Sequence, residues 1–167
     1  MRLGEEMGIR LKFWFFCNYW WLLILVFLGI GMGMVLLWPS VDFKLLGMLL
    51  GTFLSLLYFL QKQRLEEMRL FREIFAECNG RYDKMNERLK DIVDAPGNQK
   101  LQSEELAILY DYFNLCGEEY LYYRQGFIFP SVWTAWHNGM KYNFTNPRIA
   151  AVWTAEKESE SYYGLPL

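Results

Sequence analysis

The sequence contains little of what enzyme and metal sites usually require. It has one histidine, His137, and its three cysteines, Cys17, Cys78 and Cys116, lack the C-x-x-C spacing of zinc and redox motifs. It has no P-loop, no dinucleotide-binding glycine fingerprint and no G-x-S-x-G. We therefore predict a protein that is not an enzyme and uses no cofactor or metal. The cysteines are interpreted as small apolar fillers and His137 as a partly packed surface residue.

The net charge is small as well. The net charge is −2, and residues 103–167 hold four basic side chains against eight carboxylates, a balance of −4. An acidic segment of this kind argues against nonspecific phosphate binding and gives no reason for direct, sequence-specific nucleic acid binding. From residue 13 to residue 60 the only charged side chains are Asp42 and Lys44.

Two long apolar runs fill this uncharged part of the chain. Residues 13–38 and 41–60 are 26 and 20 residues long, and Trp38-Pro39-Ser40 leaves room only for a tight corner between them. As helices they reach roughly 39 and 30 Å, enough to cross a hydrocarbon core of about 30 Å. We predict a two-helix transmembrane hairpin with Trp14 and Trp38 at the lipid–water boundaries. A cleaved signal peptide is disfavoured, because no small-residue cleavage site follows the first run.

The charged flanks predict the orientation. Basic residues lie before the first run and after the second: Arg2, Arg10 and Lys12, then Lys62, Arg64, Arg69 and Arg72. By the positive-inside rule both termini face the cytoplasm, so residues 1–12 form a cytoplasmic lead-in.

Small residues mark the predicted contact faces of the two spans. Gly29 and Gly33 have G-x-x-x-G spacing, and Gly47, Gly51 and Ser55 repeat every four residues. Such faces allow helix backbones to approach closely in lipid. Packing inside the hairpin is the favoured interpretation, and a seam between protomers in a homo-oligomer is the alternative.

Residues 61–95 are predicted to be a cytoplasmic stalk helix. Eight residues follow one another at spacings of three and four: Met68, Phe71, Phe75, Cys78, Tyr82, Met85, Leu89 and Ile92. This heptad pattern predicts one long helix that packs on the following helices or associates with itself. Asn79-Gly80 predicts a kink or a break in it.

Residues 96–167 are predicted to form a small cytoplasmic helical bundle. Ser103, Ser131 and Asn146-Pro147 are interpreted as helix starts, and no segment shows strand alternation, so the fold class is all-α. Residues 103–167 contain fifteen aromatic side chains, which either fill a core or form a protein-docking surface. The residues proposed for docking are Tyr122, Tyr123, Arg124, Trp136 and Arg148.

The stretch Leu106–Leu165 resembles an uncharacterised bacterial family of membrane-anchored, aromatic helical domains. The residues that carry the resemblance are Leu109-Tyr110-x-Tyr112-Phe113, Gly126-Phe127-Ile128, Val132-Trp133-x-x-Trp136, Asn146-Pro147-Arg148 and Trp153. The architecture is also similar to the two-transmembrane effectors of retron-type anti-phage systems. That likeness implies a toxin of the bacterial inner membrane, silenced by a reverse transcriptase–nucleic acid complex and disrupting the membrane when released. A passive two-span anchor or adaptor that tethers a cytoplasmic partner is the alternative function.

Overall fold

The chain is all-helical over the residues described. The computed structural model describes residues 3–37, 43–97 and 99–167, and its helices are α1 (Leu3–Leu37), α2 (Phe43–Asp94), α3 (Ser103–Arg124), α4 (Pro130–Phe144) and α5 (Pro147–Lys157). This confirms the all-α prediction for these ranges. The corner between the two apolar runs, with Trp38, lies outside the described residues.

Two compact units divide the chain. Arg10–Arg69 form one, named here the hairpin unit, and Leu70–Leu167 together with Met1–Ile9 form the other, named the bundle unit. Helix α2 contributes its first part to the hairpin unit and its remainder to the bundle unit.

Two helices are long and apolar enough to span a membrane. The apolar stretches are Cys17–Met34 of α1 and the first part of α2, and 6% and 0% of their residues are buried inside the chain. The central helix of a soluble protein passes the same test of length and composition, but its apolar side chains are covered by protein. The exposure of both stretches therefore distinguishes them from such a helix.

The two helices of the hairpin unit run antiparallel and meet at two levels. The rings of Phe27 and Phe53 are stacked with centroids 4.3 Å apart, and Lys12 Nζ lies 3.4 Å from a carboxylate oxygen of Glu67. The two levels are 15 residues apart on α1 and 14 on α2, which corresponds to roughly 22 Å of helix. A stacked apolar pair and an ion pair thus set one register between the helices.

Helix α2 runs continuously through Asn79-Gly80, without a break at this pair. The Asn79 side chain donates a hydrogen bond to the carbonyl oxygen of Phe75 one turn earlier, at 2.9 Å. A glycine in a helix interior costs about 1 kcal/mol relative to alanine. We attribute the continuity to packing, since Ile74 and Cys78 on the preceding turn are buried.

The heptad-spaced residues of the bundle unit pack on later helices of the same chain. Cys78, Leu89 and Ile92 are buried. Three aromatic members face aromatic partners: Phe71 with Phe129 at 4.6 Å, Phe75 with Trp136 at 5.7 Å, and Tyr82 with Tyr112 at 6.3 Å. Ring pairs at these distances add to the free energy gained from burying the rings. Within the single chain these residues therefore pack intramolecularly, and self-association of the stalk helix stays a prediction.

Phe113, a residue of α3, lies at the centre of the core between α3, α4 and α5. Its ring contacts Phe144 at 5.3 Å, Trp153 at 5.2 Å and Tyr162 at 6.2 Å, and it is fully buried. The segment that follows α5 therefore returns to the core through Tyr162. Much of the aromatic excess fills this core.

The starts of α3 and α4 differ from the predicted ones. Gln102, not Ser103, is the N-cap of α3, and its backbone N–H donates to the carboxylate of Glu105 at 2.7 Å in a capping box. Phe129 precedes α4, so Ser131 lies inside the helix, because the proline between them takes the first helical position.

A buried arginine ties the end of α2 to α3 and α5. Asn146 caps α5, as predicted, by accepting a hydrogen bond from the backbone N–H of Arg148, and its side chain donates to Val93 O at 3.0 Å. The guanidinium of Arg148 donates to Ile92 O at 2.8 Å and to the Glu105 carboxylate at 3.0 and 3.2 Å. Two carbonyls at the C-terminal end of α2, which have no partner within their own helix, are thereby satisfied.

We predict that Arg148→Met lowers the free energy of unfolding by about 2 kcal/mol, because it leaves the buried Ile92 carbonyl unpaired and frees Glu105. Denaturant titration of the full chain in detergent, followed by near-UV circular dichroism, measures this change. Arg88→Met, at an exposed position on α2, is the matched control and should change stability little. Equal stability of the two variants would contradict the structural role of Arg148.

Candidate functional site

A cleft between α2, α3 and α4 is the candidate binding site of the bundle unit. It encloses about 200 Å³. Its walls combine one carboxylate, two amides and three large aromatic side chains with small and apolar residues: Asn79, Tyr82, Tyr112, Glu119, Ala135, Trp136, Gly139, Met140 and Asn143. We name it the α2–α4 cleft. A concave site with a few converging polar groups is the usual form of a binding pocket.

Glu119 is the buried carboxylate of the cleft. It is 7% exposed, and burial raises its pKa from 4.5 to about 8, while Arg81 lowers this pKa and Glu118 raises it. Desolvation disfavours the charged form of a carboxyl group, so a pKa this high means that the neutral form predominates near pH 7. Among the residues that the structure describes, none forms a hydrogen bond or an ion pair with this carboxylate.

Arg81 is held away from Glu119 by another partner. Its guanidinium binds both carboxylate oxygens of Glu118, the Nη2–Oε1 distance being 3.2 Å. This two-point pairing is the geometry that suits an arginine and a carboxylate. It raises the pKa of Arg81 further and leaves its positive charge matched by Glu118 rather than by the cleft carboxylate.

The amide groups that line the cleft each donate one hydrogen bond within the bundle unit. Asn143 Nδ2 donates to the Tyr112 hydroxyl at 3.0 Å, and Asn79 Nδ2 donates to the backbone of α2. Each amide keeps a second N–H and its oxygen acceptor, and an ionised carboxylate offers only acceptors. The acceptor groups of the cleft are therefore the Glu119 carboxylate and the two amide oxygens.

The two cysteines of the bundle unit are buried thiols. Burial raises the pKa of Cys78 to about 12 and raises that of Cys116 well above its usual value. Both are 1% exposed and neither forms a disulfide. Because the thiolate is the reactive form of cysteine, these residues have the properties of apolar fillers rather than nucleophiles.

The five proposed docking residues do not form one surface. Trp136 lines the cleft, Tyr122 is half-buried, and Arg124 is exposed, with its guanidinium 5.8 Å from the ring centre of Tyr120. The prediction that Tyr123 and Arg148 lie on a docking surface is corrected here, because their side chains are only 3% and 4% exposed. Tyr123 is stacked on Trp133 at 5.0 Å, and Arg148 is held by backbone and carboxylate partners, so neither is open to a docking protein.

The small-residue faces of the hairpin unit are open. A side-chain carbon built on Gly29, Gly33, Gly47 or Gly51 would meet no atom within 4 Å, and Ser55 is exposed. At about 100° per residue, Phe27 and Phe53 lie on the opposite sides of their helices from Gly29 and Gly51. The contact between Phe27 and Phe53 therefore does not involve these faces in the single chain, and their packing stays a prediction.

Two further residues singled out from the sequence are Trp14 and His137. Trp14 is half exposed, and its carbonyl accepts a hydrogen bond from Asn18 at 2.8 Å. The ring of His137 is stacked on Trp133 at 5.0 Å, and burial lowers its pKa. Within residues 3–37, 43–97 and 99–167, no cluster of three His, Cys, Asp or Glu side chains could hold a metal ion.

Comparison with known proteins gives no match: no protein-family model, no curated protein and no solved structure is similar to this chain. The resemblance to aromatic membrane-anchored domains and the likeness to retron effectors therefore stay predictions.

Sequence reasoning missed Glu119, which was not among the predicted site residues. The available signal was its spacing, because Glu119 lies seven residues after Tyr112 and three after Cys116, on the apolar side of α3. Adjacent helical residues point about 100° apart, so Glu119 faces the cleft while Glu118 reaches Arg81.

We predict that Glu119→Gln stabilises the chain at high pH. The pKa of this carboxyl is higher in the folded protein than in the unfolded chain, so the wild type loses stability as the pH rises from about 4.5 to about 8. Glutamine cannot ionise, and the variant should gain on the order of 2–4 kcal/mol at pH 9 and little at pH 4.5.

Denaturant titrations of the full chain in detergent at the two pH values measure this difference. Glu104→Gln, at an exposed position in the first turn of α3, is the control and should show no such pH dependence. A Glu119→Gln variant that is less stable than wild type at pH 9 would overturn the assignment of an unfavourably buried carboxyl group.

Proposed function

We propose that the protein is a two-span protein of the bacterial inner membrane, with the hairpin unit in lipid and the bundle unit and both termini in the cytoplasm. The exposed apolar stretches of α1 and α2 support this placement. Lipid can cover these side chains, whereas their exposure to water has a large cost in free energy. The basic residues on both flanks support the orientation.

Within this placement, we propose a non-enzymatic effector whose hairpins self-associate and disrupt the membrane. The observation that carries the proposal is that the glycine faces of both spans are open and turned away from the contact between Phe27 and Phe53. In lipid, small residues promote helix association because they allow close backbone approach. A second copy of the hairpin is a natural occupant of these faces.

The bundle unit is proposed as the part that docks on a cytoplasmic inhibitor. The architectural likeness suggests a retron-like anti-phage setting, in which that inhibitor is a reverse transcriptase–nucleic acid complex. The acidic character of residues 103–167 favours contact with the protein component over contact with nucleic acid.

We expect expression of the wild-type chain alone to arrest growth and to depolarise the inner membrane, measured with a potential-sensitive dye. Replacing Gly29, Gly33, Gly47 and Gly51 by leucine should restore growth and potential, because the larger side chains separate the helices. Gly31→Leu is the matched control, since this residue is about 200° from Gly29 on the same helix. It should stay toxic, and immunoblots of membrane fractions should show equal insertion.

A passive anchor or adaptor is the alternative, and one observation favours it. The side chains of Asn18 and Thr52 donate to carbonyl oxygens of their own helices, Trp14 and Met48, so these polar groups are already satisfied and do not supply a pore lining. Unchanged growth and membrane potential with the wild-type chain in the membrane would support the anchor and overturn the effector.

A further inference from the structure

We propose that the α2–α4 cleft binds the side chain of an arginine presented by a protein partner. This inference rests on the proposed docking role of the bundle unit and gives that role a chemical specificity. Its basis is the hydrogen-bonding character, charge, aromatic walls and size of the cleft.

The hydrogen-bonding character of the cleft suits a donor-rich ligand. The ionised Glu119 carboxylate and the side-chain oxygens of Asn79 and Asn143 are acceptors, and each amide nitrogen already donates one hydrogen bond. An arginine side chain carries five N–H donors and no acceptor. Once Glu119 is ionised, a carboxylate or a phosphate would instead meet like charge.

No cation among the described residues forms an ion pair with Glu119. Arg81, the nearby cation, is paired with Glu118 through both of its terminal nitrogens. The charges of Arg81 and Glu118 cancel each other, so the cleft carries one negative charge when Glu119 is ionised. An incoming guanidinium would remove the cost of burying that charge, because it supplies an opposite charge and hydrogen bonds together.

The aromatic walls suit a flat cation. Trp136 is stacked on Phe75 at 5.7 Å with only 10° between the ring planes, and it also lines the cleft beside Tyr82 and Tyr112. A guanidinium stacks on such rings and can still bind a carboxylate in its own plane. An ammonium group is a more strongly hydrated point charge and cannot stack in this way.

The size of the cleft suits one side chain. Its volume of about 200 Å³ is below the roughly 300–1,000 Å³ of typical small-molecule pockets. The net charge of −4 over residues 103–167 would attract a basic partner surface, which favours a protein-borne arginine over a free metabolite.

Binding should strengthen as the pH rises. The titratable and charged groups around Glu119 are Cys78, Arg81 and Tyr82 on α2 and Tyr112, Cys116 and Glu118 on α3, while the α4 residues that line the cleft do not titrate. Of these, Glu119 is the group that ionises near neutrality, with a pKa of about 8. A ligand that needs its ionised form should bind roughly tenfold more tightly at pH 9 than at pH 7.

Calorimetric titration of the full chain in detergent tests the proposal with a capped Gly-Arg-Gly tripeptide. The matched probe replaces arginine by citrulline, a neutral side chain of nearly the same shape. We expect millimolar binding of the arginine peptide at pH 9, about tenfold weaker binding at pH 7, and at least about tenfold weaker binding of the citrulline peptide. Glu119→Gln should lose binding by a similar factor, and Glu104→Gln should retain it.

Several outcomes would overturn the proposal. Equal binding of the citrulline peptide would show that charge is not recognised, and unchanged binding by Glu119→Gln would place the site elsewhere. Tighter binding of a capped Gly-Lys-Gly tripeptide, titrated in the same way, would indicate an ammonium site. Tighter binding of free butylguanidinium would indicate a small-molecule site. None of these titrations depends on membrane disruption, so a failure here is distinguishable from a failure of the growth and potential measurements.

Discussion

Most apolar side chains in the described part of the hairpin unit are not covered by the chain itself, and this constraint governs the rest of the molecule. Trp21, Leu25 and Phe43 are among many large apolar residues that stay mostly exposed. Exposed apolar surface costs about 25 cal/mol per Å² in water, so helices of this length need another cover. Lipid or further copies of the hairpin can supply it. The proposals about location and self-association both follow from this one requirement.

The bundle unit differs from the hairpin unit, because a small helical unit must bury enough apolar surface within the chain to be stable. It uses large rings, with Phe113 at the centre and Trp153 and Tyr162 around it. It also uses Arg148 to satisfy carbonyls at the end of α2. Most aromatic residues are therefore committed to packing, and the α2–α4 cleft is where polar groups remain open.

Several features of the fold were predictable because they depend on neighbouring residues. Helix α5 begins at Asn146-Pro147 as its capping chemistry predicts, and the two long apolar helices follow from composition alone. The α3 start was displaced by one residue because Gln102 and Glu105 form a capping box that Ser103 does not join. Gly80 did not break α2, because burial of the neighbouring turns outweighs a local penalty of about 1 kcal/mol.

The candidate site was less predictable, since its members come from three helices. The aromatic excess indicated Trp136, but nothing local placed it beside Glu119 and Asn143. Tyr123 and Arg148, residue types common in docking surfaces, were taken up by the core instead.

The sequence by itself determined the helical class, the two apolar helices and the scarcity of catalytic groups, because these depend on composition and on spacing along one helix. Only the tertiary structure decided which carboxylate is buried, which glycine faces stay open and which arginine is paired. Those properties depend on distances between residues far apart in the chain, and periodicity within a single helix does not encode them.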